Sequence, residues 1–374
     1  MNHHAKPEVM IDCRMIEHSG IGVLLRQLLR YWAEEPPAFS LKLLGNRKAM
    51  ARLLPSQLDA EFLPFHAPIY GVQNLFASSP YKKAHLYFSP HYSVPLFALR
   101  MKNVIMIQDL IHLTYPPKLG TSAYMKLMFQ FLRRFSTLIV TPSRHTKVQL
   151  QTLHGFHAHR VLTHALGPGL NSQIPIAPEG QVSLPPVPRH YWLAVGIDKP
   201  HKNFDQLLQS YSQLLKTTDS AQHMKIPDLV FAGIKPEGRS RIARLITQLH
   251  LSERVHLLQP LPDNDVPNLY SKAEALIFPS LDEGFGFPVV EAMNHGIPVV
   301  CANLPPMNEI AAGAGIFYDP DDENGLARIL EALTDHTIDR EKLAENGRQQ
   351  AKSFEWKFFA QQLEESFSRA INEF

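Results

Sequence analysis

Short apolar runs alternate with segments of helical periodicity through most of the chain. In the first half, these runs predict strands at Val9–Asp12, Leu41–Leu44, His85–Ser89, Asn103–Asp109, Leu138–Thr141 and Arg160–Thr163. In the second half, they predict strands at Tyr191–Val195, Asp228–Gly233, Val255–Leu258, Ala275–Phe278 and Ile297–Cys301. Strands that alternate with helices form parallel sheets, so the pattern predicts an α/β fold with Rossmann-like halves. Residues 46–84 show no clear periodicity, and no element is predicted there.

A proline-rich stretch separates the two halves. Residues 167–190 contain six prolines and little periodicity, which is typical of a linker. We therefore predict a first domain over residues 1–170, a linker over 171–190 and a second domain over 191–352. Residues 353–374 have the pattern of a terminal amphipathic helix.

The stretch Pro279–Pro298 has the most distinctive pattern of the second half. It follows a predicted strand and contains two carboxylates eight positions apart, Glu283 and Glu291. Pro288 suits the first turn of a helix, because its missing N–H would have no intrahelical partner there. Gly296 suits the position just past the helix end. The stretch therefore predicts a strand, a glycine loop and a short helix.

The predicted loop and helix would form an anion site. Gly284 and Gly286, on either side of Phe285, allow backbone N–H groups to approach a ligand closely. The helix N-terminus adds unpaired donors and a partial positive charge. Glu283 and Glu291 can accept hydrogen bonds from sugar hydroxyls, so the site suits a nucleotide-sugar diphosphate. Alternatively, Glu291 is only a first-turn carboxylate and Glu283 is a solvated loop charge.

The segment PSLDEGFGFPVVEAM, with its E-x7-E spacing, resembles the retaining glycosyltransferases of family 4. The resemblance implies the GT-B fold, in which two Rossmann-like, doubly wound domains face one another across a cleft and a C-terminal helix crosses back to the first. It also implies transfer of a hexose from a nucleoside-diphosphate sugar to a hydroxyl, with retention. In this family pattern, Glu283 holds sugar hydroxyls near the reacting carbon and Glu291 contacts the ribose.

Two further loops of the second half match the same family. Residues 196–203 resemble the loop in which an Arg and a Lys commonly neutralise the donor diphosphate. Lys202 matches the Lys, whereas His201 stands at the Arg position and offers one, only partly charged contact. The resemblance places the nucleobase against the loop that contains Pro260 and Leu261. The alternative to a diphosphate contact is that Lys202 is an ordinary solvated lysine.

The first half resembles the family's N-terminal domain more loosely. Gly20 and Gly22 follow the first strand, and the resemblance brings their backbone to the donor diphosphate; a turn needed only for packing is the alternative. The third glycine of the dinucleotide fingerprint is absent, so an oxidoreductase has little support. Gln108 stands where the family commonly has a His beside the donor sugar, and Asp109 follows it directly. Both are candidate catalytic residues, together with Glu283 and Lys202. His112 either fills that space or is an ordinary loop histidine.

A predicted helix near residues 124–138 has apolar positions at helical spacing, with Lys126, Arg133 and Arg134 between them. This pattern fits a basic, apolar surface that contacts a membrane and a lipid-linked acceptor. It also fits a helix buried on one face of a sheet, with a solvated basic face, because any such helix needs apolar positions along one side.

Composition excludes several classes of protein. The net charge of +2 over 374 residues provides no broad field to attract nucleic acid. The two cysteines, Cys13 and Cys301, are far apart, which fits a reducing cytosol and gives no disulfide framework. No secretory signal or membrane-spanning run is visible, so we expect a cytoplasmic protein, at most peripheral at the inner membrane face. The acidic group Asp319–Asp322 favours a turn rather than a metal site. No metal and no cofactor beyond the nucleotide-sugar co-substrate are expected.

The sequence thus predicts a metal-independent hexosyltransferase of polysaccharide biosynthesis, acting on a glycan or lipid-linked glycan. The alternative is a GT-B subunit that binds nucleotide or glycan without turnover, because Gln108 and His201 replace the usual His and Arg. The sugar, the base, the acceptor, the linkage and the oligomeric state are not specified.

Overall fold

The computed structural model describes residues 6–18, 20–78, 84–116, 118–169, 187–219, 223–261, 265–335 and 337–373. The chain divides into two compact units, the first comprising Met1–Gly167 and Glu355–Phe374 and the second Pro168–Phe354. Of the predicted linker over 171–190, only residues 187–190 lie within the described residues.

The first unit contains a seven-stranded parallel sheet in the order β3-β2-β1-β4-β5-β6-β7. Its strands are β1 Glu8–Asp12, β2 Ser40–Gly45, β3 Ala60–Pro64, β4 Leu86–Ser89, β5 Asn103–Met106, β6 Leu138–Thr141 and β7 Val161–Thr163. Every residue of the central strands β4, β5 and β6 is buried. Such continuous apolar burial is typical of parallel strands covered by helices on both faces.

The helices of the first half of the chain connect these strands. They are α1 Gly20–Glu34, α2 Arg47–Leu53, α3 Val72–Leu75, α4 Leu96–Leu99, α5 Ile111–Thr114, α6 Thr121–Phe135 and α7 Arg144–His154. Side-chain caps fix two of their starts. The Asn46 side chain accepts from the backbone N–H groups of Lys48 and Ala49, and the Ser143 hydroxyl accepts from that of Thr146.

The second unit contains a six-stranded parallel sheet in the order β10-β9-β8-β11-β12-β13. Its strands are β8 Tyr191–Val195, β9 Asp228–Ala232, β10 Val255–Leu257, β11 Ala275–Phe278, β12 Val299–Ala302 and β13 Gly315–Tyr318. Its helices are α8 Phe204–Thr217, α9 Pro236–Gln248, α10 Val266–Lys272, α11 Phe287–Asn294, α12 Met307–Ile310, α13 Gly325–Thr334 and α14 Arg340–Ala351.

The terminal helix α15, Trp356–Asn372, belongs to the first unit. Its Phe367 is 1% exposed and packs against three aromatic rings, those of Trp32, Phe39 and Phe88, at centroid distances of 6.3, 5.5 and 5.4 Å. The indole N–H of Trp32 donates to Glu364 Oε1 at 2.7 Å. Aromatic burial and this hydrogen bond hold the helix on the first unit.

The structure confirms the predicted α/β class, with differences in detail. The edge strand β3 was not predicted, because a short strand with mostly half-exposed residues gives a weak alternating signal. Strand β5 ends at Met106 rather than at Asp109, and β12 begins at Val299 rather than at Ile297. Pro298 lies just before β12, where it lacks an N–H for the ladder.

Both sheets share one topological feature that positions a site. In each sheet the strand order reverses beside the first strand, between β1 and β4 in one and between β8 and β11 in the other. In open α/β sheets, ligands bind outside the carboxyl ends of the strands at such a point. The loops that leave β8 and β11 carry Lys202 and Glu283, and the loop that leaves β5 carries Gln108. Gly20, which follows β1, is the first residue of α1.

Candidate active site

Two loops meet where the strand order of the second sheet reverses. The loop after β8 ends in a 3-10 turn, Pro200–Lys202, and the loop after β11 contains Ser280 and Leu281. The His201 carbonyl oxygen accepts from the Leu281 N–H at 2.7 Å and from the Ser280 hydroxyl at 3.1 Å. These bonds connect the two loops, although their residues are 80 positions apart (281 − 201).

An ion pair joins the same loops through side chains. Lys202 Nζ donates to Glu283 Oε1, and the two side chains are 13% and 12% exposed. The Ser280 hydroxyl also donates to Glu283 Oε1, at 2.6 Å, and Lys202 Nζ lies 5.1 Å from the centroid of the Phe278 ring. A half-buried cation is thus held beside a carboxylate, ready to bind a ligand anion if the carboxylate turns to other donors.

The glycine loop leads directly into α11. Gly286 precedes the helix with φ of 105°, and a Cβ added there would lie 2.7 Å from Met307 Cε, so only glycine suits the position. Phe285 is 4% exposed, and its ring contacts those of Phe287 and Phe354 at 5.5 and 5.7 Å. The Phe285 side chain therefore packs into the unit, and the loop presents its backbone to a ligand.

Glu291, in the second half of α11, is buried. The residue is 9% exposed, and the Tyr270 hydroxyl donates to its Oε2 at 2.6 Å. A Cβ added at Gly169 would lie 1.6 Å from Glu291 Oε1, so the backbone of Gly169 packs against the carboxyl group. Burial raises the pKa of Glu291 to about 7, and the hydrogen bond from Tyr270 opposes this shift.

The remaining candidates of the second unit differ in exposure. His201 is 8% exposed, and its backbone carbonyl oxygen, rather than its ring, makes the contacts with Ser280 and Leu281 described above. Pro260 is exposed and Leu261 half-buried. Arg239, which the sequence did not single out, donates to the carbonyl oxygens of Leu257 and Leu258 at 2.6 and 2.9 Å. These bonds fix the start of the loop that carries Pro260 and Leu261.

In the first unit, Gly20 and Gly22 lie in the first turn of α1 rather than in the turn before it that the sequence predicts, and Gly20 lies beside Gln108, which follows β5. A Cβ at Gly20 would lie 3.7 Å from Gln108 Oε1, whereas one at Gly22 would lie 2.5 Å from the Ile16 carbonyl oxygen. Gly22 thus has a packing reason to be glycine. Gln108 Nε2 is buried and has no hydrogen-bond partner among the described residues. Asp109 Oδ1 accepts from the Ile111 N–H at 3.1 Å.

Aromatic and histidine rings cluster near Asp109, whose charge acts on Tyr70 and Tyr92. Tyr70, 42% exposed, donates to or accepts from His91 Nε2 at 3.2 Å, and the two rings lie 5.2 Å apart. Tyr92 makes the same kind of contact with His112 Nδ1, at 3.0 Å. Burial lowers the pKa of His91 to about 3, so this histidine is neutral near pH 7. His112 thus lies among rings, a placement that the sequence left open.

A buried ion pair supports the loop that carries Tyr70. The Arg14 guanidinium contacts Asp12, with Nη2 2.6 Å from Oδ2 and the side chains 4% and 5% exposed. The same group donates to Asn74 Oδ1 at 2.8 Å and to the carbonyl oxygen of Pro68 at 3.3 Å. Arg14 therefore fixes residues on both sides of Tyr70. No local sequence signal pointed to this role.

Comparisons with known proteins place the chain among enzymes that transfer sugars. Residues 179–350 match the family model described as glycosyl transferases group 1. O-antigen chain mannosyltransferase B of Escherichia coli is 31% identical over 285 residues, which cover 73% of this chain and 71% of that protein. O-antigen chain mannosyltransferase RfbU of Salmonella typhimurium is 30% identical over 144 residues, which cover 38% of each chain.

Solved structures extend the likeness to the whole fold. The structure of Anabaena Alr3699/HepE in complex with UDP and glucose matches with a TM-score of 0.72 at 18% identity, over 98% of this chain and 100% of that one. At that identity, the likeness shows the fold alone.

The described residues contain neither a metal-binding cluster nor a membrane-spanning helix. Within them, no group of three or more His, Cys, Asp or Glu side chains is arranged to hold a metal ion. Likewise, none of the helices in the described ranges has the length and apolarity needed to cross a membrane.

The raised pKa of Glu291 predicts a pH-dependent loss of stability. Because the folded-state pKa of about 7 exceeds the unfolded value of 4.5, the contribution is fully present below pH 4.5 and is lost as pH rises through 7. The shift corresponds to about 3 kcal/mol. We expect the free energy of chemical unfolding of wild type, relative to Glu291→Gln, to fall by up to that amount between pH 5 and 8. Parallel pH profiles would contradict the expectation, and Glu237→Gln, at an exposed position, is the control.

Proposed function

We propose, since the chain belongs to the glycosyl transferases group 1, that it transfers a hexose from a nucleoside-diphosphate sugar to a hydroxyl of a glycan or lipid-linked glycan. We further propose retention at the anomeric carbon and no requirement for a metal. Mannose is the first candidate sugar, because two relatives are named as O-antigen mannosyltransferases.

The pairing of Lys202 with Glu283 carries this proposal. The pair lies at the carboxyl ends of β8 and β11, where the strand order reverses, beside the glycine loop that opens α11. A diphosphate needs a cation and backbone donors, and a hexose needs an acceptor for its hydroxyls. Both kinds of group are within one small region of the second unit.

The proposed chemistry is preorganised electrostatic stabilisation. As the bond between the anomeric carbon and the diphosphate oxygen breaks, negative charge grows on the departing group. Lys202, the backbone N–H groups of the loop and the start of α11 stabilise that charge. The acceptor oxygen bonds to the anomeric carbon, and its proton passes to an oxygen of the departing phosphate. These groups supply the positive charge without a metal.

Glu283 would exchange one partner for another during this cycle. In the structure, Glu283 accepts from Lys202 and Ser280. Once the diphosphate takes Lys202, the carboxylate can accept from sugar hydroxyls near the reacting carbon while Ser280 still holds it in place. Binding of the donor would thus separate Lys202 from Glu283, whose opposite charges otherwise neutralise one another.

The acceptor is assigned to the first unit. Asp109, which follows Gln108, lies near the rings of Tyr70 and Tyr92, and Tyr70 is exposed enough to contact a sugar. An aromatic face suits the C–H face of a pyranose, and the neighbouring hydroxyl and imidazole groups suit its hydroxyls. Gln108 can donate and accept hydrogen bonds but cannot carry a proton charge.

A GT-B subunit that binds without turnover is the competing proposal. It is favoured by Gln108 and His201, which stand where the family commonly has a His and an Arg. Slow hydrolysis of a nucleotide sugar in the absence of acceptor would support catalysis. Tight nucleotide binding with no hydrolysis and no transfer would support the subunit.

Lys202→Ala tests the diphosphate contact. We expect the affinity for a nucleoside diphosphate to fall by about 10-fold or more, because a charge-assisted hydrogen bond is lost, while the affinity for the free nucleoside changes little. Calorimetry with GDP and UDP, and ligand-detected NMR with guanosine and uridine, measure the two effects. Lys199→Ala is the control, an exposed lysine of the same loop. An equal loss for nucleoside and diphosphate would be inconsistent with phosphate contact.

The two carboxylates should separate kinetically. Glu283→Ala should chiefly lower kcat, by on the order of 100-fold, because the group acts near the reacting carbon. Glu291→Ala should chiefly raise KM for the donor and weaken nucleotide binding, because the group acts on the ribose. Steady-state kinetics with GDP-mannose and an O-antigen acceptor measure both constants. Wild-type kinetics for both variants would refute the site.

Peripheral membrane contact at the inner face is the last part of the proposal. On α6 the apolar residues Met125, Met128, Phe129 and Leu132 are buried, whereas Leu127 and Phe135 are 47% and 50% exposed. Lys126, Arg133 and Arg134 share the exposed side. Burial of these four residues accounts for most of the apolar positions at helical spacing. The remaining exposed side is basic and partly apolar, which suits contact with anionic lipid.

Vesicle flotation tests the surface on α6. We expect wild type to float with phosphatidylglycerol vesicles and not with phosphatidylcholine vesicles, and Leu127→Asp to float several-fold less. Met224→Asp, at an exposed apolar position of the second unit, should float like wild type. No difference between the two vesicle types would contradict membrane contact through charge.

A further inference from the structure

Tyr270 has a contact that the function proposed above does not yet use. The residue is on α10 and is 1% exposed, and its hydroxyl donates to Glu291 Oε2 at 2.6 Å. Its ring stacks on that of His295 at a centroid distance of 5.6 Å and an interplanar angle of 6°. The ring is thus held by packing, and its hydroxyl is directed at one oxygen of the carboxyl group.

The other carboxyl oxygen of Glu291, Oε1, lies against the backbone of Gly169. A Cβ built on Gly169 would be 1.6 Å from Oε1 and 2.8 Å from Cδ, so any larger residue would displace the carboxyl group. The carboxyl group therefore lies between the Tyr270 hydroxyl on one side and the Gly169 backbone on the other. A side chain confined on both sides has few positions available, which lowers the entropy lost when a ligand binds it.

We propose that Tyr270 is a positioning residue for the donor, which holds the Glu291 carboxylate in the orientation that accepts the two ribose hydroxyls, and that Gly169 supplies the space for it. This inference rests on the proposed function, since it assigns the ribose of a nucleotide sugar to Glu291. It adds two residues to the site, neither of which is needed for the diphosphate contact of Lys202.

Among the polar groups around Glu291, Tyr270 is the one whose hydrogen bond shifts the pKa of the carboxyl group. Burial raises the pKa of the carboxyl group and the Tyr270 hydrogen bond lowers it. His295, at the end of α11, has its own pKa lowered by burial and stacks on Tyr270. On α14, packed against α11, Arg348 pairs with Glu345, with its guanidinium beside Gly296. Lys202, beside the start of the glycine loop, pairs with Glu283.

The sign of the effect follows from which form the hydrogen bond favours. A hydroxyl that donates to a carboxylate stabilises the ionised form, so its removal raises the pKa of Glu291 further. The ionised form accepts from two ribose hydroxyls, whereas the protonated form loses acceptor capacity. Donor affinity should therefore fall as the pH drops through the pKa of Glu291, and it should begin to fall at a higher pH when the tyrosine hydroxyl is absent.

The first experiment needs no ligand. Isotope-edited infrared titration of the full chain, with the carboxyl band assigned by its loss in Glu291→Gln, gives the midpoint for Glu291 directly. We expect Tyr270→Phe to raise that midpoint by about one pH unit, the size of a hydrogen bond to a charged group. Tyr211→Phe is the matched control, because it removes a buried hydroxyl that donates to the Pro227 carbonyl oxygen at 2.8 Å in the same unit. An unshifted midpoint in Tyr270→Phe would overturn the inference.

The second experiment measures the donor. For Tyr270→Phe we expect KM for GDP-mannose and Kd for GDP to rise by about 10-fold at pH 7, with kcat within about 2-fold of wild type. The acid limb of the binding profile should move to higher pH by the amount seen in the infrared titration. Gly169→Ala should weaken binding at every pH, because its methyl group displaces the carboxyl group while leaving the tyrosine hydroxyl in place. A change in kcat alone would overturn a positioning role.

The outcomes separate this inference from the function on which it rests. If wild type binds neither GDP nor UDP nor their sugars, the proposed function fails, and the ribose assignment falls with it even if the infrared shift is seen. If wild type binds GDP or UDP and Tyr270→Phe matches it in Kd and in pH profile, the function stands and the positioning role is overturned. A loss equal to that of Tyr211→Phe also overturns it, since a general effect of removing a buried hydroxyl would then suffice.

Discussion

Lys202 and Glu283 hold together two loops that meet where the strand order of the second sheet reverses. Their ion pair is mostly shielded from water, and the bonds from Leu281 and Ser280 to the His201 carbonyl oxygen fix the backbone around it. An exposed ion pair contributes little, but charges with little access to water interact more strongly. The pair therefore keeps both groups in position, and the proposed replacement of the carboxylate by a diphosphate requires no movement of the loop backbones.

Two carboxylates eight residues apart have very different surroundings. Glu283 lies beside a cation and a hydroxyl, whereas Glu291 is enclosed by Tyr270 and Gly169 and its pKa is raised to about 7. The helix start separates them, since Glu283 precedes α11 and Glu291 lies in its second half. The same E-x7-E spacing thus gives one group that pairs with charge and one that depends on a neutral hydroxyl, which suits one to the reacting sugar and the other to the ribose.

Local patterns predicted much of this arrangement, and tertiary contacts account for the rest. Strands β8 and β11 and the loop-to-helix turn at Gly286 are encoded by apolar runs and by glycine and proline, which act over a few residues. Glu283 and Lys202 were each predicted as ligands, but their pairing was not, since it depends on strands far apart in sequence becoming neighbours. Tyr270 gave no signal, because a tyrosine on a helix among apolar residues is usually part of a core.

The first unit contrasts with this site in its electrostatics. Its buried charges near β1 are matched to one another, Arg14 with Asp12, and His91 is neutral because burial lowers its pKa to about 3. Gln108 adds polarity without charge, and its buried Nε2 has no partner within the described ranges. Asp109 is the charged group near the rings of Tyr70 and Tyr92, and the neighbouring hydroxyl, amide and imidazole groups can form hydrogen bonds with an uncharged glycan. In the function proposed above, the charge that stabilises a departing diphosphate comes from Lys202 in the second unit, so a glutamine at position 108 does not remove that charge.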